Sequence, residues 1–137
     1  MKTYNISTTS GNVKVVTENI SDILSSAIYG GIGYWACIDD TTPEFIINSF
    51  NNDDSYEEIC TRILLHGGHI LIIDIWEEYG IYSLTLENLL TGIKRWIESG
   101  MDRYGTVSGN ELDCCCIDSE CADCIIQLAL FDDIVYG

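Results

Sequence analysis

Five of the seven cysteines crowd one stretch: Cys114, Cys115 and Cys116, then Cys121 and Cys124 as a C-x-x-C. Thiolates at such spacing can hold tetrahedral zinc or exchange disulfides. A structural zinc site usually draws on two C-x-x-C pairs, and here there is one. Thioredoxin-like chemistry needs a strand that delivers the pair to a helix N-terminus beside a basic residue, and the sequence offers neither. Residues 121 and 124 share a helical face with Ile125 and Leu128, so the spacing predicts small buried hydrophobes there. No metal, cofactor or catalytic residue is expected, and a zinc-binding structural module is the alternative. His66 and His69 flank Gly67-Gly68 without an HExxH or a carboxylate partner, and a helix C-terminus accounts for His66. Asp74 interrupts an apolar strand on the face of Ile70, Ile72 and Trp76. A buried carboxylate there could mark a site, or could rest at a sheet edge or pair with Lys94 or Arg95. Gly30-Gly31-Ile32-Gly33 follows a helix rather than a strand, which argues against phosphate cradling. The adjacent Tyr34 and Trp35 could stack a ligand, although an aromatic pair beside glycines is more often core.

The carboxylates are the larger signal. Twenty-two Asp and Glu oppose six Lys and Arg, a net charge of −16. After Arg103 no basic residue follows, while Glu111, Asp113, Asp118, Glu120, Asp123, Asp132 and Asp133 do. A field of that sign repels phosphates and anionic lipid, so direct nucleic-acid and membrane binding are not expected, and a basic protein partner is. Asp39 and Asp40 lie in a loop. Asp53, Asp54, Glu57 and Glu58 group at one helix N-terminus, where they also complement the macrodipole. Glu120 and Asp123 share an outer helical stripe with Gln127, and Asp132 and Asp133 follow that helix. Solvation explains each cluster separately. Gathered on one side, they would imitate the charge rows of a nucleic-acid backbone and fill a basic groove.

These residues must be positioned by ordinary α+β elements. Val13–Val16 reads as a strand, with Thr17 capping a helix that turns Ile20, Ile23, Leu24, Ala27 and Ile28 to one face and ends at Gly30-Gly31. Residues 32–38 are apolar and read as a strand or as packing around the glycines. Residues 39–54 read as loop. Ser55 and Glu58 form a capping box for a helix stopping at Gly67-Gly68. His69–Trp76, apolar on both faces, reads as the central strand, joined through residues 77–80 to a strand at 81–84, with Gly80 supplying a positive φ. Thr85 caps a helix whose Leu86, Leu89, Leu90, Ile93, Trp96 and Ile97 face inward. Residues 101–113 read as loop, Asp118 or Ser119 opens a last helix, and residues 134–136 suggest a final strand. The expectation is an α+β single domain over residues 1–137, with about four helices on a small, mainly antiparallel sheet.

A hydrophobic fraction of 47% suits a domain that folds alone. No stretch has the ~18 apolar residues of a spanning helix, and residues 1–5 lack the apolar run of a leader. With reduced thiols, a cytoplasmic setting is expected.

The run from Gly30 to Trp35, the helix start Leu84-Thr85-Leu86-Glu87 and the ending from Asp123 to Gly137 resemble small acidic proteins of bacteriophages and mobile elements of Gram-positive bacteria. In relatives, Asp or Ala stands near the last helix where this chain has cysteines, which speaks against a metal role. The resemblance implies a bacterial host cell. It is similar in character to anti-CRISPR and other counter-defence inhibitors, including DNA mimics. The implied function is an inhibitor that binds a basic nucleic-acid-binding host protein, such as a CRISPR or other defence nuclease, through its acidic surface. A binder of a signalling nucleotide through Tyr34 and Trp35 is the alternative, and six cations leave little from which to build its pocket.

Overall fold

Two-residue alternation, not hydrophobicity, makes the first hairpin. Strand β1 (Thr3–Thr8) pairs antiparallel with β2 (Gly11–Val16), from Thr3 opposite Val16 to Thr8 opposite Gly11. Gly11 carries a φ of 118°, a left-handed value that suits glycine at the tight turn. Only Ile6 of β1 is buried, so its sequence shows almost no apolar signal, and the strand was not foreseen. The computed structural model describes residues 2–50, 53–101, 107–113 and 117–137. Among them, β6 (Val107–Ser108) and β7 (Glu111–Leu112) form a short hairpin where a loop was expected. Strand β7 adds parallel to β2, giving the order β1-β2-β7-β6.

A second sheet has the order β3-β4-β5, all antiparallel: β3 (Ala36–Ile38), β4 (His69–Asp74) and β5 (Ile81–Thr85). The central position of β4 matches its apolar sequence, but the strand stops at Asp74, and Trp76 is 71% exposed. In the following turn it is Tyr79, not Gly80, that takes the positive φ, at 71°. Gly80 is required for space instead, because a Cβ there would lie 2.9 Å from the Cβ of Asp74.

Among the described residues five helices complete the α+β domain, against about four expected. Helix α1 (Thr17–Ile28) packs between α3 (Tyr56–Leu65) and α5 (Ser119–Phe131), and α5 packs along α4 (Leu86–Glu98). The unforeseen α2 (Pro43–Asn48) lies in the polar stretch before α3, with Thr42 accepting from the Phe45 N–H and Pro43 opening the first turn. Thr17 is the first helical residue of α1 rather than its cap. The Val16 N–H is held by Asn19 Oδ1 at 2.9 Å. Ser55 accepts from the Glu58 N–H at 3.4 Å, one half of the capping box. Thr85 and Asp118 cap α4 and α5 as the sequence predicts. The core collects Ile20, Ile23 and Leu24 of α1, Ile63 and Leu64 of α3, Leu89, Ile93 and Trp96 of α4, Ile125 of α5, and Trp35. The tail forms no strand. Its Val135 and Tyr136 N–H groups both donate to Gln127 Oε1, each at 2.8 Å, so a side chain of α5 replaces the partner strand. No helix among the described residues is long and apolar enough to cross a membrane.

Candidate partner-binding surface

The C-terminal end of α1 is where acidic groups converge. Glu57, in the first turn of α3, lies beside the Tyr29 hydroxyl, and its carboxylate raises the Tyr29 phenol above its ordinary range. Asp40, just beyond β3, lies against Tyr56, the first residue of α3; burial foremost, with Asp40 beside it, raises the Tyr56 phenol further. Gly30 and Gly31 press against Ser119, the first residue of α5. A Cβ on Gly31 would come within 2.8 Å of the Ser119 carbonyl oxygen. That close approach brings Asp118 and Glu120 to the same end. Two helix N-termini therefore deliver carboxylates around one helix C-terminus, each stabilised by its own macrodipole.

Other predicted residues go elsewhere. Asp54 is paired with Arg62, and Glu58 shares a depression with Lys2, Arg62 and His66. Asp39 accepts from the backbone N–H and hydroxyl of Thr41, which closes a local turn and holds its carboxyl below the usual range. Asp53 is exposed before α3. Asp132 and Asp133 lie past the far end of α5, about 20 Å along a helix of that length, and Asp132 pairs with Arg95 at 3.0 Å. The ten acidic positions do not make one face.

Asp123 is the clearest correction. It points inward rather than along an outer stripe, at 6% exposure, and Gln127 beside it is wholly buried. Its Oδ2 accepts from the Tyr34 hydroxyl at 2.6 Å. Its Oδ1 accepts from Trp35 Nε1 at 2.8 Å and from Gln127 Nε2 at 3.0 Å. The helical period puts Asp123 and Gln127 on the stripe of exposed Glu120, but Tyr34, Trp35 and the tail cover the part that holds Asp123 and Gln127. Trp35 is fully buried, stacked on Tyr136 with ring centroids 5.1 Å apart and tilted against Phe131 at 5.5 Å. It is core and presents no face to a ligand. Tyr34 stays half exposed beside a groove of about 310 Å³ that Glu120, Asp123 and Tyr136 also line. Carboxylates line that groove and, among the described residues, no cation does, the opposite of what a nucleotide's phosphates need.

Asp74 is buried at 3% exposure and has neither Lys94 nor Arg95 as its partner. Its Oδ2 accepts from the Tyr136 hydroxyl and its Oδ1 from the Trp76 N–H at 2.9 Å. Asp74 thus ties the C-terminal tail to the sheet, while Asp123 ties α5 to the segment that leads into β3. The interruption at Asp74 was legible in the sequence. Its partner, 62 residues away, left no local signal.

Partial burial and the bond to Asp123 push the Tyr34 phenol up to about 12. A folded-state pKa raised above the ordinary 10 means that the contribution is complete below pH 10 and is lost as pH rises from 10 towards 12. The absorbance difference between the wild type and Tyr34→Phe, followed through alkaline pH, should therefore place the Tyr34 transition near pH 12. In Asp123→Asn the same transition should move down towards pH 10.

Burial pushes the Cys121 thiol up to about 11 and raises Cys124 as well, so both are protonated thiols at neutral pH. Both are half-buried against the core. Among the described residues, no three His, Cys, Asp or Glu side chains converge as metal ligands. Cys114, Cys115 and Cys116 lie outside the described residues, as does Arg103. No family model, curated protein or solved structure matches this chain.

Proposed function

We propose that this protein is a binding protein that occupies the basic, nucleic-acid-binding surface of a host protein, as phage-encoded anti-CRISPR and other counter-defence inhibitors do, and that it performs no catalysis. The observation that supports this reading is the gathering of Asp40, Glu57, Asp118 and Glu120 around the end of α1 in a chain of net charge −16. Lys14, Arg62 and Arg95 each sit against a carboxylate, which leaves the field around that end negative. Such a field steers a basic partner to contact and competes with phosphates for its groove.

The test is capture of partners from bacterial lysate on the immobilised protein, with elution by rising salt. A nucleic-acid-binding protein should be held near 0.05 M salt and released by roughly 0.5 M, where the screening length falls to about 4 Å. Neutralising Asp40 and Glu120 together to the amides should slow association with that partner about tenfold or more at low salt. Neutralising Asp132 and Asp133 at the far end should change it by less than about twofold. Binding indifferent to salt and to the first set would sink the proposal.

A further inference from the structure

Strand β1 ends the β1-β2-β7-β6 sheet, so one of its edges carries backbone groups that pair with no other strand. Which residues those are follows from the hairpin. The Thr17 N–H donates to the Lys2 carbonyl, and Thr8 closes the two-residue turn opposite Gly11. Bonded pairs alternate along an antiparallel ladder, so Lys2, Tyr4, Ile6 and Thr8 direct their backbone groups to β2. Thr3, Asn5 and Ser7 therefore aim theirs outward, where none finds a backbone partner among the described residues. All three residues are exposed. Native sheet edges are commonly blunted by a bulge, a proline or a charge. Here the register runs unbroken from Thr3 to Thr8, the single proline is Pro43, and residues 3–13 carry no charge.

Opposite charges stand at the two ends of this edge. Lys2, just before β1, is exposed and makes no ion pair among the described residues, although Glu58 lines the same depression. At the other end Glu98, the last residue of α4, accepts from the Thr9 N–H at 3.1 Å and is itself exposed. Alternation places Lys2 on the side of the sheet that carries Tyr4 and Ile6, the side against which α4 packs. Both charges therefore lie on one side of the sheet, separated by the length of β1.

We infer that the free edge of β1 pairs with the same edge of a second copy of this chain, antiparallel about a two-fold axis, joining the two four-stranded sheets into one. Geometry sets the register. Outward groups must meet outward groups, and the overlap is longest with Asn5 opposite Asn5 of the second copy. Thr3 then faces Ser7 in both directions, and these pairs exchange about six backbone hydrogen bonds. Lys2 of each copy lies opposite Thr8 of the other, one residue from the Thr9 that holds Glu98, so an ammonium meets a carboxylate at both ends. A basic strand from another protein would be attracted by Glu98 and repelled by Lys2, and an acidic strand the reverse. An antiparallel copy of this edge matches both charges. The uncharged run 3–13 also keeps like charge out of the seam between two bodies of net charge −16.

Sedimentation of the purified chain over about a hundredfold range of concentration, at about 0.15 M salt, tests this. The expected result is a reversible monomer–dimer equilibrium. Asn5→Pro removes an outward N–H and leaves the bonds to β2 whole, so it should weaken the dimer about tenfold or more with unchanged circular dichroism. Glu98→Lys makes the chain less acidic, which by itself favours association, yet it should weaken the dimer about threefold or more. Adding Lys2→Glu to that variant should restore the affinity. Amide hydrogen exchange on the wild type needs no variant. Dimer formation should slow exchange at Thr3, Asn5 and Ser7 about tenfold or more, while Tyr4, Ile6 and Thr8 are already protected in the monomer. A chain that stays monomeric throughout overturns the inference, as does a dimer indifferent to Asn5→Pro. Unchanged exchange at residues 3, 5 and 7 overturns it even where Asn5→Pro fails to fold. Failure of the double charge exchange to recover affinity overturns the antiparallel pairing.

Discussion

Asp123→Ala should lower the free energy of unfolding by about 3–4 kcal/mol, the largest loss expected from any single carboxylate here. The side chain is 6% exposed and accepts from the Tyr34 hydroxyl, Trp35 Nε1 and Gln127 Nε2. Alanine leaves the indole N–H of a fully buried tryptophan without an acceptor and opens a void beside it. Each orphaned buried donor costs about 1–3 kcal/mol. Gln127 keeps the Tyr136 carbonyl as an acceptor, which limits the damage at that end. Asp123→Asn separates hydrogen bonding from charge. Its amide oxygen can take the place of Oδ1, and its NH₂ can donate to the Tyr34 oxygen, so the cost should fall to about 1 kcal/mol. Urea unfolding followed by tryptophan fluorescence reads both variants, with a midpoint shift of about 2 M for alanine. An asparagine variant as unstable as alanine would show that the negative charge itself is required.

Gly92→Ala should destabilise the protein by about 2 kcal/mol, although the same change in an isolated helix gains about 1 kcal/mol. Gly92 faces α5 at the closest approach of α4 and α5. An added Cβ would lie 2.6 Å from the Ile125 carbonyl oxygen and 2.7 Å from the Ala129 Cβ. The first of these neighbours is backbone and cannot swing aside, so the helices must separate along their length, and the overpacking outweighs the propensity gain. Ala129→Gly in the same chain removes one of the two contacts and should recover part of the loss, a coupling that a double-mutant cycle measures. Equal losses in the Gly92→Ala single and the double variant would show that Ile125 alone sets the spacing. Thermal unfolding offers a second readout, at roughly 2–4 °C per kcal/mol for a domain near this size.

Both predictions concern the packing beneath the surface, and they protect the interpretation of the binding experiments. Asp123, Trp35 and Gly92 shape the scaffold, so their replacement would reduce partner capture through stability alone. Asp40 and Glu120 are exposed, and changes there report on contact.

The sequence by itself determined the elements with a strong period or a clear cap. The runs of α1, α3, α4 and α5 were legible because each repeats apolar residues at helical spacing, and α3, α4 and α5 also follow a capping side chain. Strands β4 and β5 were legible as an apolar pair around a turn. The α+β class and the excess of negative charge follow from the same reading. Tertiary structure decided the rest. Strand β1 is polar enough to pass for loop and becomes a strand only because β2 offers its edge. The segments β6, β7 and α2 are too short for a period to emerge. Asp123 and Gln127 looked like an outer stripe because helical spacing ranks faces by polarity, and it cannot know that Tyr34, Trp35 and the C-terminal tail will bring donors and acceptors to satisfy them inside. The run 69–76 announced two apolar faces. Only the packed chain shows that its own helices cover one of them and leave Leu71, Ile73 and Ile75 on the side facing solvent.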